Sequence, residues 1–232
     1  MAEKPGDGRA IARSSPEIPA TPGSAGARAR GRKSVVPPSP LHEHAVMSPA
    51  TPTLHTPTLV TERLRLRPVE EGDGDFLWEL MSSPFVLRYW DEPPWTDPSR
   101  AQRFVDQSRS AASEGSGTRV MVERVADGAR LGWCGVSSWD PTFRSAELTL
   151  CFGEASWGHG YATEAASALL DWAYEVLDLN RVQAMADTRN TACGRVLHKL
   201  GFVHEGTLRE DCVVEGVVSD SWVFGLLERD RT

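Results

Sequence analysis

The apolar positions of this chain repeat with two different periods. "TLVTERLRLRP" (58–68) sets Leu64 and Leu66 between charged neighbours, the alternation of a half-buried strand, and Pro68 ends it. "EEGDGDFLWELMSS" places Phe76, Leu77 and Leu80 at helical spacing, and Pro84 closes that segment. "TDPSRAQRFVDQSRSAASEG" reads as a second helix, with Thr96 or Asp97 as its cap, Pro98 in its first turn and Gly115 at its stop. "TRVMVERVADGARLGWCGVSSW" is a hairpin that turns at Asp127-Gly128. "RSAELTLCF" (144–152) is a further strand, and "YATEAASALLDWAYEVL" has the Ala and Leu content of a buried helix. "NRVQAMAD" reads as a strand, "NTACGRVLHKLGF" as a helix ended by Gly201, and "VVSDSWVFGLL" as the last strand of a terminal pair. This order predicts an α/β (α+β) domain: a mixed, mostly antiparallel sheet of about seven strands flanked by helices, with one β-α-β unit.

Composition divides the chain. Residues 1–57 hold ten of the sixteen prolines and none of the eighteen aromatics, with a formal charge of +3 against −10 for the remainder. A segment so poor in large apolar groups cannot offset its ordering entropy, so 1–57 is expected to be a disordered Pro/Ala/Arg-rich tail. Residues 58–232 suit one domain with a single core. Met47 is a second candidate start, which would make 1–46 an extension. No run of apolar residues is long enough to span a membrane, and no continuous apolar segment marks a secretory signal. A cytoplasmic protein is expected. Cys134, Cys151, Cys193 and Cys212 form no CxxC pair and have no His cluster beside them, which predicts reduced thiols and no metal. The acidic domain argues against nucleic acid as a partner.

The stretch "SWGHGYATEAA" (156–166) joins a strand to a helix through Gly158 and Gly160. A first helical turn presents unpaired N–H groups and a partial positive charge, and glycines let the backbone close on a bulky anion. The combination makes a phosphate or pyrophosphate site. His159 supplies the loop's one titratable cation, so backbone groups carry the contact. The GxxxxGKS/T pattern is absent, and Thr163 stands where GxGxxG requires its third glycine. A diphosphate carrier held without a metal-binding hydroxyl remains. By itself a Gly-x-Gly also serves as a plain corner between strand and helix.

Four segments in order resemble the GNAT acetyltransferase superfamily, and within it the ribosomal-protein-alanine (RimJ/RimL-like) N-acetyltransferase branch. They are "TERLRLRPVEEGDGDFLWEL", "AELTLCF" with "WGHGYATEA", "NTACGRVLHKLGF", and "GTLRE" with "GVVSDSWVFGLL". The resemblance covers about three quarters of the chain and implies a GNAT-like sheet with a β-α-β acetyl-CoA core. It implies a pyrophosphate cradle from the backbone of Gly158, His159, Gly160, Tyr161, Ala162 and Thr163, with Trp157 at its entry. It implies that Leu148–Phe152, including Leu150, Cys151 and Phe152, splays from strand 181–187 and binds pantetheine as an added strand. Asn190 would hydrogen-bond the pantetheine arm, and Cys193 replaces the usual serine beside it. Leu197 stands where many relatives carry a tyrosine general acid.

Acetyl transfer requires a neutral amine and a route for one proton. Glu147, at the start of the strand that in the resembled family's arrangement reaches the thioester, is the candidate base, and a solvated strand-face charge is its plainer reading. An N–H near Cys151 or Phe152 is the candidate oxyanion donor. A cysteine nucleophile at Cys151 or Cys193 lacks a His partner at readable spacing. Tyr89, Trp90 and Trp95 lie where this superfamily shapes its acceptor pocket, and Asp220 matches a recurrent aspartate. Glu164 suits the helix dipole better than catalysis. Arg195 and Lys199 either approach the CoA 3′-phosphate or are solvated. The expected activity is transfer from acetyl-CoA to an amine acceptor, a protein N-terminus or a small amine such as an aminoglycoside or polyamine. Direct attack in a ternary complex is expected, by a monomer or homodimer. A non-catalytic acyl-CoA-binding or regulatory module, and a nucleotide-binding domain with other chemistry, are the competing readings.

Overall fold

A computed structural model describes residues 54–214 and 216–231. The expected tail therefore lies outside the described residues up to 53. Residues 54–57 are placed against the domain: Leu54 is buried, its N–H donates to the Ala112 carbonyl at 2.9 Å, and the Thr56 and Thr118 hydroxyls are 2.7 Å apart. The expected boundary at 57/58 thus moves toward the N-terminus.

The strands are β1 (Leu59–Val60), β2 (Leu64–Pro68), β3 (Thr118–Arg124), β4 (Arg130–Asp140), β5 (Ser145–Phe152), β6 (Arg181–Asp187), β7 (Val203–Val214) and β8 (Val217–Leu227). They form one eight-stranded sheet in the order β1-β2-β3-β4-β5-β6-β8-β7. Only β5 and β6 run parallel, because α4 (Tyr161–Leu177) crosses between them. The helices α1 (Gly74–Met81), α2 (Pro84–Leu87), α3 (Ser99–Ser113) and α5 (Thr191–Lys199) complete the fold.

Strand alternation sorts the core into two layers. Val120, Val122, Cys134, Val136, Leu148 and Phe152 pack with α4 residues such as Leu169 and Ala173. Met121, Trp133 and Cys151 point the other way, into Leu77, Leu80, Phe104 and Val105 of α1 and α3. The burial of these faces is the main source of stability, at roughly 25 cal/mol per Å² of apolar surface.

Two local expectations are corrected. The single strand over 58–68 is a tight hairpin, in which Leu59 pairs with Leu66 and Val60 with Arg65. Its turn closes because the Thr61 N–H donates to the Leu64 carbonyl, and the Leu64 N–H to Thr61 Oγ1 at 3.0 Å. This adds the eighth strand. Pro84 does end the α1 region, but it also opens α2, whose cap is Ser83 Oγ accepting from the Val86 N–H.

The other elements follow their local chemistry. Asp97 accepts from the Ser99 N–H at 2.9 Å ahead of α3, and Gly115 stops that helix at φ 70°. Buried Asp73 accepts both Nη atoms of Arg67 at 2.8 Å and Arg130 Nε at 2.8 Å, which fixes the path from β2 into α1. Among the described residues no helix is long and apolar enough to cross a membrane.

Candidate functional site

The parallel register between β5 and β6 covers only Ser145–Glu147 against Arg181–Gln183. β4 follows β5 through to Phe152, and β8 follows β6 through to Asp187. β5 and β6 therefore stay in the sheet by their outer partners while their inner edges separate after Glu147 and Gln183. Leu148–Phe152 turns backbone groups into that opening, as expected for a ligand added like a strand.

β5 leads into the glycine loop at the mouth of the opening. A short 3-10 turn (Glu154–Ser156) is followed by Trp157, whose Nε1 donates back to the Phe152 carbonyl at 2.7 Å. Gly158 and Gly160 have φ of 78° and 80°, the left-handed conformation that favours glycine. Gly160 is the N-cap of α4 and offers no side-chain cap. The helix begins with its own first N–H groups presented to the loop, which fits an anion better than a closed cap.

Tertiary structure adds two arginines that the local sequence did not indicate. Arg63, in the β1–β2 turn, donates from Nη1 to the His159 carbonyl at 3.0 Å and from Nε to Glu164 Oε2 at 2.7 Å. Its Cζ stands 4.9 Å from the Tyr161 ring centre, and His159 stacks on the same ring at 5.5 Å. Arg88, after α2, lies over the rings of Phe85, Tyr89 and Trp157 at 4.2, 4.8 and 4.9 Å. The two cations approach opposite ends of the loop. Neither position carries a periodic signal, although Arg63 lies inside the TERLRLRP segment that carries part of the family resemblance.

Glu164 is thereby explained. Burial opposes its charge, but hydrogen bonds from Thr61 Oγ1 (2.6 Å) and Arg63 hold its carboxyl below the usual glutamate range. It ties α4 to the β1–β2 turn, a structural role that agrees with the plainer sequence reading.

Glu147 is half-buried and is the last β5 residue paired to β6. By alternation it shares the α1–α3 side of the sheet with Thr149 and Cys151. Burial pushes the thiols of Cys134 and Cys151 up to about 12 and that of Cys193 up to about 11. None is a ready thiolate at neutral pH.

Asn190 caps α5, with Oδ1 accepting from the Cys193 N–H at 3.1 Å. The preceding loop is held by Asp187, which accepts from Ser219 Oγ at 2.6 Å and from Arg189. Leu197 is buried in the core, so the position occupied by tyrosine in many relatives contributes no acid here. Tyr89 lies between Arg88 and Arg189, whose Cζ is 5.8 Å from its ring, and Trp90 meets Trp133 edge-on at 5.9 Å. These aromatics bring α2 to the open end of β5 and β6. Trp95 is buried against Phe104 and belongs to the core. Asp220 accepts from the Glu210 N–H at 2.8 Å and so holds the β7 bulge between Leu208 and Cys212. Arg195 is exposed on α5 and bonds Thr191; Lys199 is also exposed.

A separated parallel strand pair followed by an uncapped glycine turn offers strand-edge groups and helix N–H groups to one extended, phosphate-bearing ligand. Residues 63–203 match the acetyltransferase (GNAT) domain family, and the chain belongs to that family as an N-acetyltransferase. It is 34% identical to the uncharacterized N-acetyltransferase p20 of Bacillus licheniformis, over 75% of this chain and 97% of that protein. It is 28% identical to the putative ribosomal N-acetyltransferase YdaF of Bacillus subtilis, over 74% of this chain and 94% of that protein. Its fold matches the spermidine N-acetyltransferase of Vibrio cholerae in complex with CoA and spermine, with a TM-score of 0.67 and 22% identity over 73% of this chain and 98% of the other.

Proposed function

We propose that this protein transfers the acetyl group of acetyl-CoA to a primary amine by direct attack within a ternary complex. The observation that carries the reading is the parallel register ending at Glu147 and Gln183, one strand length ahead of the glycine loop. The N–H groups around Gly158–Thr163 receive the pyrophosphate, and their fit rests on the positive φ of both glycines and the absence of a side-chain cap on α4. Trp157, pinned to Phe152, borders that cradle. Backbone groups of Leu150, Cys151 and Phe152 take the pantetheine arm. Asn190 contributes Nδ2, its Oδ1 being committed to the α5 cap, and Cys193 lines the same wall.

Glu147 accepts the amine proton, directly or through one water, as the new C–N bond forms and the C–S bond breaks. An N–H of the separated β5 edge near Cys151 or Phe152 stabilises the carbonyl oxygen meanwhile. The departing thiolate takes its proton from solvent. Tyr89, Trp90 and Asp220 border the acceptor's approach. The acceptor class is open to two suggestions from the relatives, a ribosomal protein N-terminus and a polyamine.

The test is a broad amine screen that detects acetylated product by mass, paired with calorimetry against acetyl-CoA and ATP. The expected result is acetyl-CoA binding and a mass gain of one acetyl group on at least one amine. Tight ATP binding without CoA binding overturns the reading.

A further inference from the structure

Arg119, on β3, is accounted for neither by the stability of the fold nor by the CoA cradle. Its backbone pairs with Gly135 of β4, and Gly135 pairs with Thr149 in the separated half of β5. The missing side chain at Gly135 is what admits it: a Cβ there would stand 3.0 Å from Arg119 Cγ and 2.7 Å from the Thr118 carbonyl. The arginine stem thus leans over β4 in the direction of β5. Gly135 itself lies one strand spacing, about 4.8 Å, from Thr149 of β5.

Its Cζ is 4.9 Å from the Phe104 ring centre and 6.0 Å from that of Trp133. Burial lowers its pKa, and no carboxylate among the described residues forms an ion pair with it. The contrast with Arg67, on the same side of the sheet, is instructive. Arg67 is buried where Arg119 is half-buried, and it is saturated by Asp73 and Glu123. Next to Arg119, Trp133 Nε1 is buried with no hydrogen-bond acceptor among the described residues. Cationic and N–H donors thus gather here, and among the described residues no carboxylate forms an ion pair with the guanidinium.

On the same side of β5 stand Glu147 and Thr149, where the amine is attacked under the proposed function. We propose that Arg119 is a specificity-determining residue that receives a carboxylate carried by the acceptor, a few bonds from its reacting amine. The inference rests on the proposed N-acetyltransferase reading and narrows its substrate class to amino acids or similar amino-carboxylates. The planar guanidinium fork matches a carboxylate in two parallel hydrogen bonds. The same desolvated cation repels a second ammonium, so a polyamine is disfavoured at this site.

The experiment compares matched acceptors, amino acids and ω-amino acids against their own amides, with spermidine alongside, at equal concentrations of free amine. The wild type is expected to favour each productive acid over its amide by about tenfold or more in kcat/KM, as a charged hydrogen bond implies. Arg119→Gln is expected to bring that ratio close to one and Arg119→Lys to restore part of it, with acetyl-CoA affinity unchanged in both. The wild-type ratio needs no variant and stands if a substitution fails to fold. An acid-to-amide ratio near one in the wild type, an unchanged ratio in Arg119→Gln, or spermidine outperforming every acid overturns this inference alone. Acetyl-CoA binding with no amine acetylated overturns the transferase reading and this inference with it.

Discussion

Arg63 Nη1 donates to the carbonyl oxygen of His159 across 96 residues of sequence, and so fastens the first hairpin to the middle of the glycine loop. The same guanidinium holds Glu164, one turn into α4. The loop is therefore braced from outside the segment that contains its glycines. Binding a flexible diphosphate to a braced loop costs less ordering entropy than binding to a free one.

Removing the brace affects binding more than folding. Arg63→Ala is expected to weaken acetyl-CoA binding by about three- to tenfold, because the ion pair is partly exposed and solvent-screened. Glu164→Gln, which leaves the His159 contact intact, is expected to weaken it less. Calorimetric affinities of the two variants, ranked the other way, would remove Arg63 as the brace.

The two loop glycines separate backbone strain from steric blocking. A Cβ at Gly158 meets no atom within 4 Å, so Gly158→Ala costs only left-handed strain, about 1–2 kcal/mol. Gly160→Val adds a branched side chain at the start of α4, beside Arg63, and is expected to abolish CoA binding while the protein stays folded. Unchanged affinity in Gly160→Val would refute the cradle.

Glu147→Gln is expected to lower kcat by roughly 10²-fold or more with little change in acetyl-CoA affinity, consistent with loss of a general base. The deficit should be largest near neutral pH, where the acceptor amine is mostly protonated. A pH–rate profile superimposable on that of the wild type would exclude Glu147 from proton transfer.

Cysteine chemistry makes a contrary prediction. With Cys193 held up at about 11 and Cys151 at about 12, neither supplies a thiolate at working pH. Cys193→Ala is expected to retain kcat within about threefold, since no nucleophile is lost. Intact-protein mass spectrometry after incubation with acetyl-CoA alone is expected to show no acetylated enzyme.

Acid stability reports on Asp73. Burial works against its charge, yet the Arg67 hydrogen bonds and the Glu70 N–H hold its carboxyl below the usual aspartate range. A depressed folded pKa gives stability that is complete above the unfolded value, near 3.9. That contribution drains as pH falls from there through the folded value. Asp73→Asn leaves Arg67 with Glu123 as its remaining carboxylate and Arg130 facing a neutral group, and is expected to cost about 1–3 kcal/mol at neutral pH. Denaturant melts at pH 7 and pH 3 should show the difference between variant and wild type shrinking at the lower pH.

By itself the sequence determined the elements whose cause is local. Asp127-Gly128 placed the β3–β4 turn, Asp97 with Pro98 started α3, and Gly160 began α4, since turns, caps and periodicity act within a few residues. The order of four motifs also specified the acetyltransferase family. Tertiary structure alone decided what surrounds the loop. It drew the 58–68 segment into a hairpin to deliver Arg63, and stacked Arg88 on Trp157. It set the point at which β5 leaves β6, after three pairs, and laid the Arg119 stem against Gly135. A long side chain reaching another element leaves no periodic trace in sequence, because its partner is chosen by the packing of the whole sheet. The glycine turn ahead of α4 was therefore legible from residues 157–163, and the arginines packed around it were not.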